Sequence, residues 1–305
     1  MKKEIILFVV NALVKMHVLT PIRVAKLKFF YKCHKWPDFK YPKDVNEKIN
    51  WMKFYGDTSM WHVYADKYRV RKYVEDLGLG EVLVPLIGKW DEVDDIDWGK
   101  LPKQFVMKCN NGCGDVVVCK DKNKLDIETT KKHFAKMLHE KLSALSGEPH
   151  YGKIKPCIIA EELLDASTQP CHSSSLVDYK VWVFDGKPMF TWTAWNRRGF
   201  HANVAIYDMD WQFHPEWSVW TNHYIKPNVH LPKPKCFDRL MKVASIMGKG
   251  LPVARIDLYV VNDKVYFGEI TMTSQGGYMD YLTSDFLKTM GELTVLPIDK
   301  HKRES

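Results

Sequence analysis

The sequence lacks the cysteine patterns of a metal site or a disulfide framework. Its seven cysteines are odd in number, no two form a C-x-x-C pair, and none has the cysteine–histidine spacing of a zinc site. Several stand inside apolar runs, as Cys119 does directly after three valines. This pattern argues against a disulfide-stapled secreted domain and predicts free or buried thiols in a reducing compartment. We therefore expect a cytoplasmic protein.

Long apolar runs are also missing, and acidic residues are scarce near the start. The apolar stretch 5–14 is about half of the ~20 residues that a membrane span needs, and no small-residue cleavage site follows it. In the first forty residues nine lysines and arginines face only Glu4 and Asp38. We expect 1–40 to be a basic helical segment that either lies on the inner leaflet of a membrane or packs on the protein body. A solvated basic face is the simpler alternative, and no nucleic-acid partner is expected.

The sequence has no Walker loop, no G-x-G-x-x-G motif and no internal repeat, which excludes the commonest phosphate-binding signatures. Its hydrophobic fraction of 46% suits a globular core. After residue 100 strands outnumber helices and mostly form hairpins, with turns at Asp185-Gly186 and Asn262-Asp263. Helices are expected at 46–54, capped by Asp44, and at 65–77, 127–145 and 237–248, with an early strand at 82–87. The pattern indicates an α+β fold rather than a doubly wound sheet.

A lysine and two glycines lie between apolar strands in the middle of the chain. Lys108 ends the apolar stretch from Phe105, and Gly112 and Gly114 come before a second stretch from Val116. Glycines let backbone N–H groups approach phosphate oxygens, and a lysine adds positive charge for the same anion. An ordinary hairpin turn with two glycines is the alternative.

Two carboxylates stand on the strands of the last predicted hairpin. Asp257 shares a strand face with Arg255, and Glu269 shares one with Thr271 on the partner strand. Paired across the hairpin, both acids could reach one Mg²⁺, which usually binds one or two carboxylates together with substrate phosphates. Arg255 would stabilise the charge of a transferred phosphoryl group. Solvent-facing charges on a half-exposed sheet are the alternative.

A third candidate segment is an apolar strand that ends in Glu161 and Glu162 and is followed at some distance by Asp178-Tyr179-Lys180. The order of a lysine–glycine loop, an acidic hinge, a D-x-K strand and a D…E-x-T hairpin resembles the ATP-grasp superfamily, and within it the TupA-like family of teichuronopeptide biosynthesis. The matching stretches are 46–49, 66–74, 84–88, 101–102, 105–110, 158–162, 178–180 and 255–259, so that the similarity runs from about residue 40 to 290.

The resemblance implies two α+β subdomains, at about 100–165 and 166–290, that grip ATP between them, followed by a tail at 291–305. By position, the nucleotide would contact Lys108, Gly112, Gly114, Glu161, Glu162, Leu164 and Lys180, and Mg²⁺ would be held by Asp257, Glu269 and Thr271. Thr271 stands where many superfamily members have asparagine, and Cys113 stands where serine is expected.

The activity that the resemblance implies is ATP-dependent ligation of a carboxylate to an amine through an acylphosphate. A uronic acid of a cell-surface glycan, or of its nucleotide- or lipid-linked precursor, would be the carboxylate, and an amino acid the amine. A glycosyltransferase or sugar kinase of the same pathway, and a non-catalytic scaffold, stay open. Tryptophans beside Arg197 and Arg198 are either sugar-stacking platforms or core residues; they are Trp182, Trp192, Trp195, Trp211, Trp217 and Trp220.

Overall fold

The computed structural model describes residues 20–112, 116–139 and 147–297. The apolar run 5–14, Cys113, Gly114 and the charged end of the tail lie outside this part of the chain. Within it, no helix is long and apolar enough to cross a membrane. Each described cysteine is a free thiol, as the spacing predicts.

Helices frame the early and late parts of the described chain. They are α1 (Pro21–Cys33), α2 (Val45–Tyr55), α3 (Trp61–Ala65), α4 (Arg69–Asp76), α5 (Ile127–His139), α6 (Phe237–Gly248) and α7 (Ser284–Leu293). The helix expected at 65–77 is present but shorter, because it starts at Arg69. Buried Asp66 accepts the N–H groups of Tyr68 and Arg69 at 2.9 and 3.0 Å and so starts α4 as a separate helix.

The first sheet has four strands in the order β1–β4–β2–β3, all antiparallel. The strands are β1 (Leu86–Trp90), β2 (Phe105–Cys109), β3 (Val117–Cys119) and β4 (Ile158–Glu161). β2 and β3 form the expected hairpin, whereas β1 starts later than predicted because 80–82 is a short 3₁₀ turn. Helix α5 packs Phe134 and Leu138 onto this sheet. The first sheet thus begins near residue 86, ahead of the expected subdomain boundary at 100.

The second sheet has six strands in the order β10–β9–β5–β6–β7–β8. They are β5 (Asp178–Phe184), β6 (Lys187–Arg198), β7 (His201–Asp208), β8 (Tyr224–Ile225), β9 (Ala254–Val261) and β10 (Lys264–Thr271). Only β7 and β8 run parallel. The β5–β6 and β9–β10 hairpins turn through residues with positive φ, at Asp185-Gly186 and Asn262-Asp263, as their sequences predict. Helix α6 packs on β5 and β9.

The tryptophans of the second sheet belong to its core. Trp182, Trp192 and Trp195 are buried, and the other three pack against the same cluster. The core interpretation therefore accounts for Trp182, Trp192 and Trp195, whereas the other three are partly buried at the edge of the core.

The chain ends of the described fold pack together. Asp44 caps α2 by accepting the Glu47 N–H at 2.9 Å, and α7 crosses the start of α2 so closely that a Cβ on Gly291 would lie 2.3 Å from the Lys43 carbonyl oxygen. Leu296 is fully buried, and Lys48 donates to the Thr294 carbonyl at 2.7 Å. The tail expected from residue 291 is thus part of the packed body up to at least residue 296.

Candidate active site

The most concentrated group of charges lies where β9 and β10 meet. A bulge at Gly268 sets Glu269 opposite Asp257 and Thr271 opposite Arg255. Arg255 donates to both oxygens of Asp257, at 2.7 and 2.9 Å. The same guanidinium reaches Glu269 at 2.9 Å, Thr271 at 3.1 Å and Ser274 at 2.8 Å. One arginine therefore holds both predicted metal carboxylates in a single constellation.

The neighbouring strand β5 adds a second cation and a second acid. Lys180 lies opposite Asp257 in the strand register and donates to its carboxylate. Its Nζ is also 3.7 Å from Asp178, which pairs with Arg197 through an Nε–oxygen contact of 3.1 Å. Charges of opposite sign thus alternate from Arg197 to Arg255 along one face of three strands.

The two carboxylates differ in exposure and in protonation behaviour. Asp257 is 2% exposed, and burial raises the pKa of its carboxyl against the opposing effect of Arg255 and Lys180. The Glu269 side chain is 40% exposed. Burial works to raise the pKa of Glu269, but the cations of Arg255, Lys67 and Lys180 hold that pKa well below its usual range. Glu269 is therefore an ionised carboxylate at neutral pH, with a side chain that is partly open to solvent.

These oxygen donors fit a magnesium ion whose remaining ligands would come from a nucleotide phosphate or water. Asp257 and Glu269 offer two carboxylates within reach of one guanidinium, and Thr271 donates its hydroxyl to Glu269 at 2.9 Å. No group of three histidine, cysteine or acidic side chains that could hold a metal occurs in the described chain. A Mg²⁺ here would need phosphate or water oxygens to complete its coordination, which is its usual mode of binding. Thr271 is already engaged and is the weakest candidate ligand.

The first sheet carries a separate charged group. Lys108 on β2 pairs with Glu161 on β4 at 2.6 Å. Arg71 of α4 binds the other oxygen of Glu161 at 2.9 Å and the Val84 carbonyl at 2.9 Å. Glu161 is thus buried between two cations. Its carboxylate balances the positive charge of Lys108.

The described start of the glycine loop is tied to the segment just ahead of α4. Lys67 donates to the Gly112 carbonyl at 2.5 Å, and the Lys67 N–H donates to Asn110 at 3.0 Å. The charge of Lys67 also helps to hold the pKa of Glu269 down, so this lysine is within electrostatic reach of the β9–β10 site. Gly114, the second glycine of the loop, lies outside the described residues.

The predicted hinge follows β4 directly. The Glu162 N–H donates to the Pro85 carbonyl at 3.0 Å, and its side chain is exposed. Leu164 is half-buried in the segment that leads from the first sheet to the second. The structure places both in the link between the sheets, where the resemblance puts the adenine.

Three residues at this site escaped the sequence analysis: Lys67, Arg71 and Ser274. The first two lie in the stretch 66–74, which carries part of the resemblance but offers no local sign of a role. Ser274 follows β10 and reaches Arg255 only because the chain turns back through Gln275, Gly276 and Gly277, all with positive φ.

Comparisons with known proteins place the chain in a family. No curated protein matches it. Solved structures that are similar to it include the D-alanine–D-alanine ligases of Bacillus anthracis (17% identity, 79% of this chain and 70% of that chain, TM-score 0.44) and Helicobacter pylori (16% identity, 83% and 70%, TM-score 0.42). An L-amino acid ligase of Bacillus licheniformis is 15% identical over 73% of this chain and 43% of that chain, with a TM-score of 0.40. The pattern of the TupA-like ATPgrasp family matches residues 47–295, which include both sheets and every candidate residue described above. The chain therefore belongs to the TupA-like ATP-grasp family.

Proposed function

We propose that this protein is an ATP-dependent carboxylate–amine ligase. The observation that carries the proposal is Arg255, which holds Asp257 and Glu269 together at the open end of the β9–β10 hairpin. Two carboxylates beside an arginine and a lysine form the electrostatic environment that phosphoryl transfer needs, because charge on the moving phosphoryl group must be balanced throughout.

The residues take the following roles in this proposal. Lys108 and Lys180 bind nucleotide phosphates from opposite sheets, and Gly112 lies in the loop that covers them. The segment with Glu161, Glu162 and Leu164 borders the adenine. Asp257 and Glu269, with Thr271 beside them, hold Mg²⁺, which when bound neutralises phosphate charge.

The proposed reaction has two steps, phosphoryl transfer to the carboxylate and then attack by the amine. A carboxylate oxygen of the acceptor attacks the γ-phosphorus of ATP, the bond to the β-phosphate oxygen breaks, and ADP leaves. The amine then attacks the acyl carbon, inorganic phosphate leaves and the nitrogen loses a proton. Arg255 lies where it can stabilise the transferring phosphoryl group.

We propose a uronic acid of a cell-surface glycan, or of its nucleotide- or lipid-linked precursor, as the carboxylate, and an amino acid as the amine. Family membership supports this choice, and so do the cations Arg255 and Lys180, which suit an anionic acceptor. The reaction would take place in the cytoplasm, where ATP and such precursors meet.

Release of phosphate tests the proposal directly. Purified protein with ATP and Mg²⁺ would be given a uronic-acid acceptor, a mixture of amino acids, or both. The proposal expects phosphate and ADP only when both partners are present, together with an amide product by mass spectrometry. ADP formation with the phosphate retained on the sugar would indicate a kinase. Absence of Mg²⁺-dependent ATP binding would indicate a scaffold and refute the ligase.

A further inference from the structure

A polar groove runs along the rim of the second sheet where β6, β7 and β8 come together. It consists of two adjoining cavities of about 540 and 420 Å³. They share the wall residues His172, Asn196, Asn203 and Ile225. We call this feature the β6–β8 groove; no residue of it has a role in the ligation steps above.

The described lining of the groove is cationic and rich in hydrogen-bonding groups. It contains Arg198 and Lys226, together with three histidines, three asparagines and two serines, but no aspartate or glutamate. On a protein surface, cations without neighbouring carboxylates attract an external anion. Asparagine, serine and histidine side chains match hydroxyl groups, because each can donate and accept hydrogen bonds.

The wall of the groove is held in place, while its binding groups stay available. The Asn196 N–H donates to the Ser173 Oγ at 2.9 Å, and the Asn196 Oδ1 accepts the Ser174 N–H at 3.0 Å. By contrast, no hydrogen bond or ion pair to another described residue engages the side chains of Arg198, Lys226 or Asn203. Preorganised walls with unengaged polar groups reduce the ordering cost of binding.

Apolar surface completes the lining. Ile225 is 42% exposed and Val229 is 75% exposed, and both face the groove. A sugar ring presents hydroxyl groups at its edge and C–H bonds on its faces, so a site for one needs apolar as well as polar contacts. Together, cations, hydroxyl-binding groups and apolar surface select an acidic sugar over a simple anion.

The groove adjoins the candidate active site. Asn196 and Arg198 line it, and Arg197 between them pairs instead with Asp178, which is 3.7 Å from the Lys180 Nζ. A sugar chain bound in the groove could therefore extend past Arg197 toward Lys180 and Asp257. We propose that the β6–β8 groove binds an acidic sugar unit of the acceptor next to the one that is activated. This inference rests on the proposed ligase function for its biological meaning, but not for its test.

Direct binding measurements test the groove. Calorimetric titrations at low ionic strength would use trigalacturonate, the neutral trisaccharide maltotriose, glucose 1-phosphate and inorganic phosphate. We expect trigalacturonate to bind, and the double variant Arg198→Ala/Lys226→Ala to weaken it at least tenfold. Lys187→Ala, an exposed lysine at the other end of β6, is the matched control and should bind as the wild type does. If glucose 1-phosphate binds more tightly than trigalacturonate, and the double variant weakens its binding to the same extent, the acidic group of the bound sugar is a phosphate rather than a carboxylate.

Two results would overturn the inference: maltotriose binding as tightly as trigalacturonate, or the double variant binding trigalacturonate like the wild type. Binding of inorganic phosphate alone is a third such result, because it would reduce the groove to a general anion site. A parallel titration with a non-hydrolysable ATP analogue separates this test from that of the ligase. The groove variants should bind the nucleotide as tightly as the wild type does. If the proposed function is wrong, the wild type itself would not bind the nucleotide.

Discussion

At the scale of single residues, the two carboxylates bound by Arg255 differ in burial and in how many of their oxygens the guanidinium contacts. Asp257 is buried and bound through both oxygens, so its charge is balanced inside the protein. Glu269 is bound by the guanidinium through only one of its oxygens and is partly open to solvent. This asymmetry suggests that Asp257 fixes the position of Arg255, whereas Glu269 is the carboxylate better placed to meet a metal–nucleotide complex.

Changing Glu269→Gln should lower turnover at least a hundredfold, equal to roughly 3 kcal/mol of transition-state stabilisation, while the fold survives. Asp257→Asn should also abolish turnover, but it leaves Arg255 and Lys180 without a buried counter-charge and so costs stability as well. Phosphate release and circular dichroism would be measured on both. Asp263→Asn, an acid at the tip of the same hairpin, is the control and should stay active. Full activity of folded Glu269→Gln would reject the metal assignment.

Replacing the two candidate phosphate-binding lysines should weaken ATP binding more than acceptor binding. Lys180→Ala removes a cation from Asp257, and Lys108→Ala removes one from Glu161, which Arg71 still holds. We expect a five- to twentyfold rise in Kd for each, about 1–2 kcal/mol, by titration with a non-hydrolysable ATP analogue. The control is Lys103→Ala, an exposed lysine just ahead of β2. Wild-type affinity in both variants would mean that these lysines serve only their ion pairs.

At the scale of elements, helix α2 presents a polar stripe to the turn that follows β10. Asn46 exchanges two hydrogen bonds with the backbone of Met279, at 2.9 and 3.0 Å. Asn50 donates to the Gly277 carbonyl at 2.8 Å, and Lys53 donates to the Gly276 carbonyl at 2.6 Å. Because the turn also carries Ser274, this stripe positions the residue that reaches Arg255.

The stripe makes stability depend on pH. Burial lowers the pKa of Lys53 from 10.5 to about 7, despite the attraction of Glu148, and Lys28 adds to the lowering. Between these two values the unfolded chain binds a proton that the folded chain does not, so this group makes the free energy of unfolding rise with pH, by up to about 1.4 kcal/mol per unit. Urea unfolding of Lys53→Met from pH 7.5 to 9.5 should show a flatter profile than the wild type. Lys43→Met, exposed ahead of the same helix, should keep the wild-type slope; equal slopes for all three proteins would contradict the burial argument.

The features of the fold that can be predicted from the sequence are those set by residues close together in the chain. The hairpins over Asp185-Gly186 and Asn262-Asp263 are predictable because positive φ at those positions is a property of a few neighbouring residues. Period-two alternation likewise places Arg255 and Asp257 on one strand face. Pairing of β1 with β4 joins segments some seventy residues apart, and no local signal encodes it. Lys67, Arg71 and Ser274 stayed hidden for the same reason: their partners lie far along the chain.

At the scale of the whole molecule, helix α1 has two different apolar faces. Val24, Ala25 and Phe29 are buried, and Phe29 meets Tyr278 at a ring distance of 6.2 Å, so this face packs on the body. The opposite face exposes Leu27, Phe30 and Tyr31, at the spacing of one helical stripe. Trp36 stacks on Phe30 at 4.8 Å and is 61% exposed. The described part of the basic segment therefore packs as a structural helix and still leaves an aromatic stripe among lysines.

This exposed stripe keeps open the alternative that the basic segment also contacts the inner leaflet of a membrane, which we propose to test. Each basic residue near an anionic surface contributes roughly 1 kcal/mol, and exposed aromatics favour the interface. Co-sedimentation with anionic vesicles should be strong at low salt, weaker at high salt, and reduced in Leu27→Ser/Phe30→Ser or after deletion of residues 1–20. Val118→Ser, an apolar residue of similar exposure on β3, serves as the control. Protein that stays in the supernatant at low salt would rule out the contact.

The polar stripe of α2 also has a consequence for how the protein is made. Its partners, from Gly276 to Thr294, are synthesised more than two hundred residues after the helix itself. Until those residues leave the ribosome, Asn46, Asn50 and Lys53 lack the partners that the turn supplies. Contacts at such separation form late because a long loop must close first. The two sheets can therefore assemble before the ends of the fold meet, and the turn that carries Ser274 settles only in that final step. A chain interrupted near residue 275 would have both sheets, with Arg255 still paired with Asp257 and Glu269, but without the settled turn that brings Ser274 to Arg255.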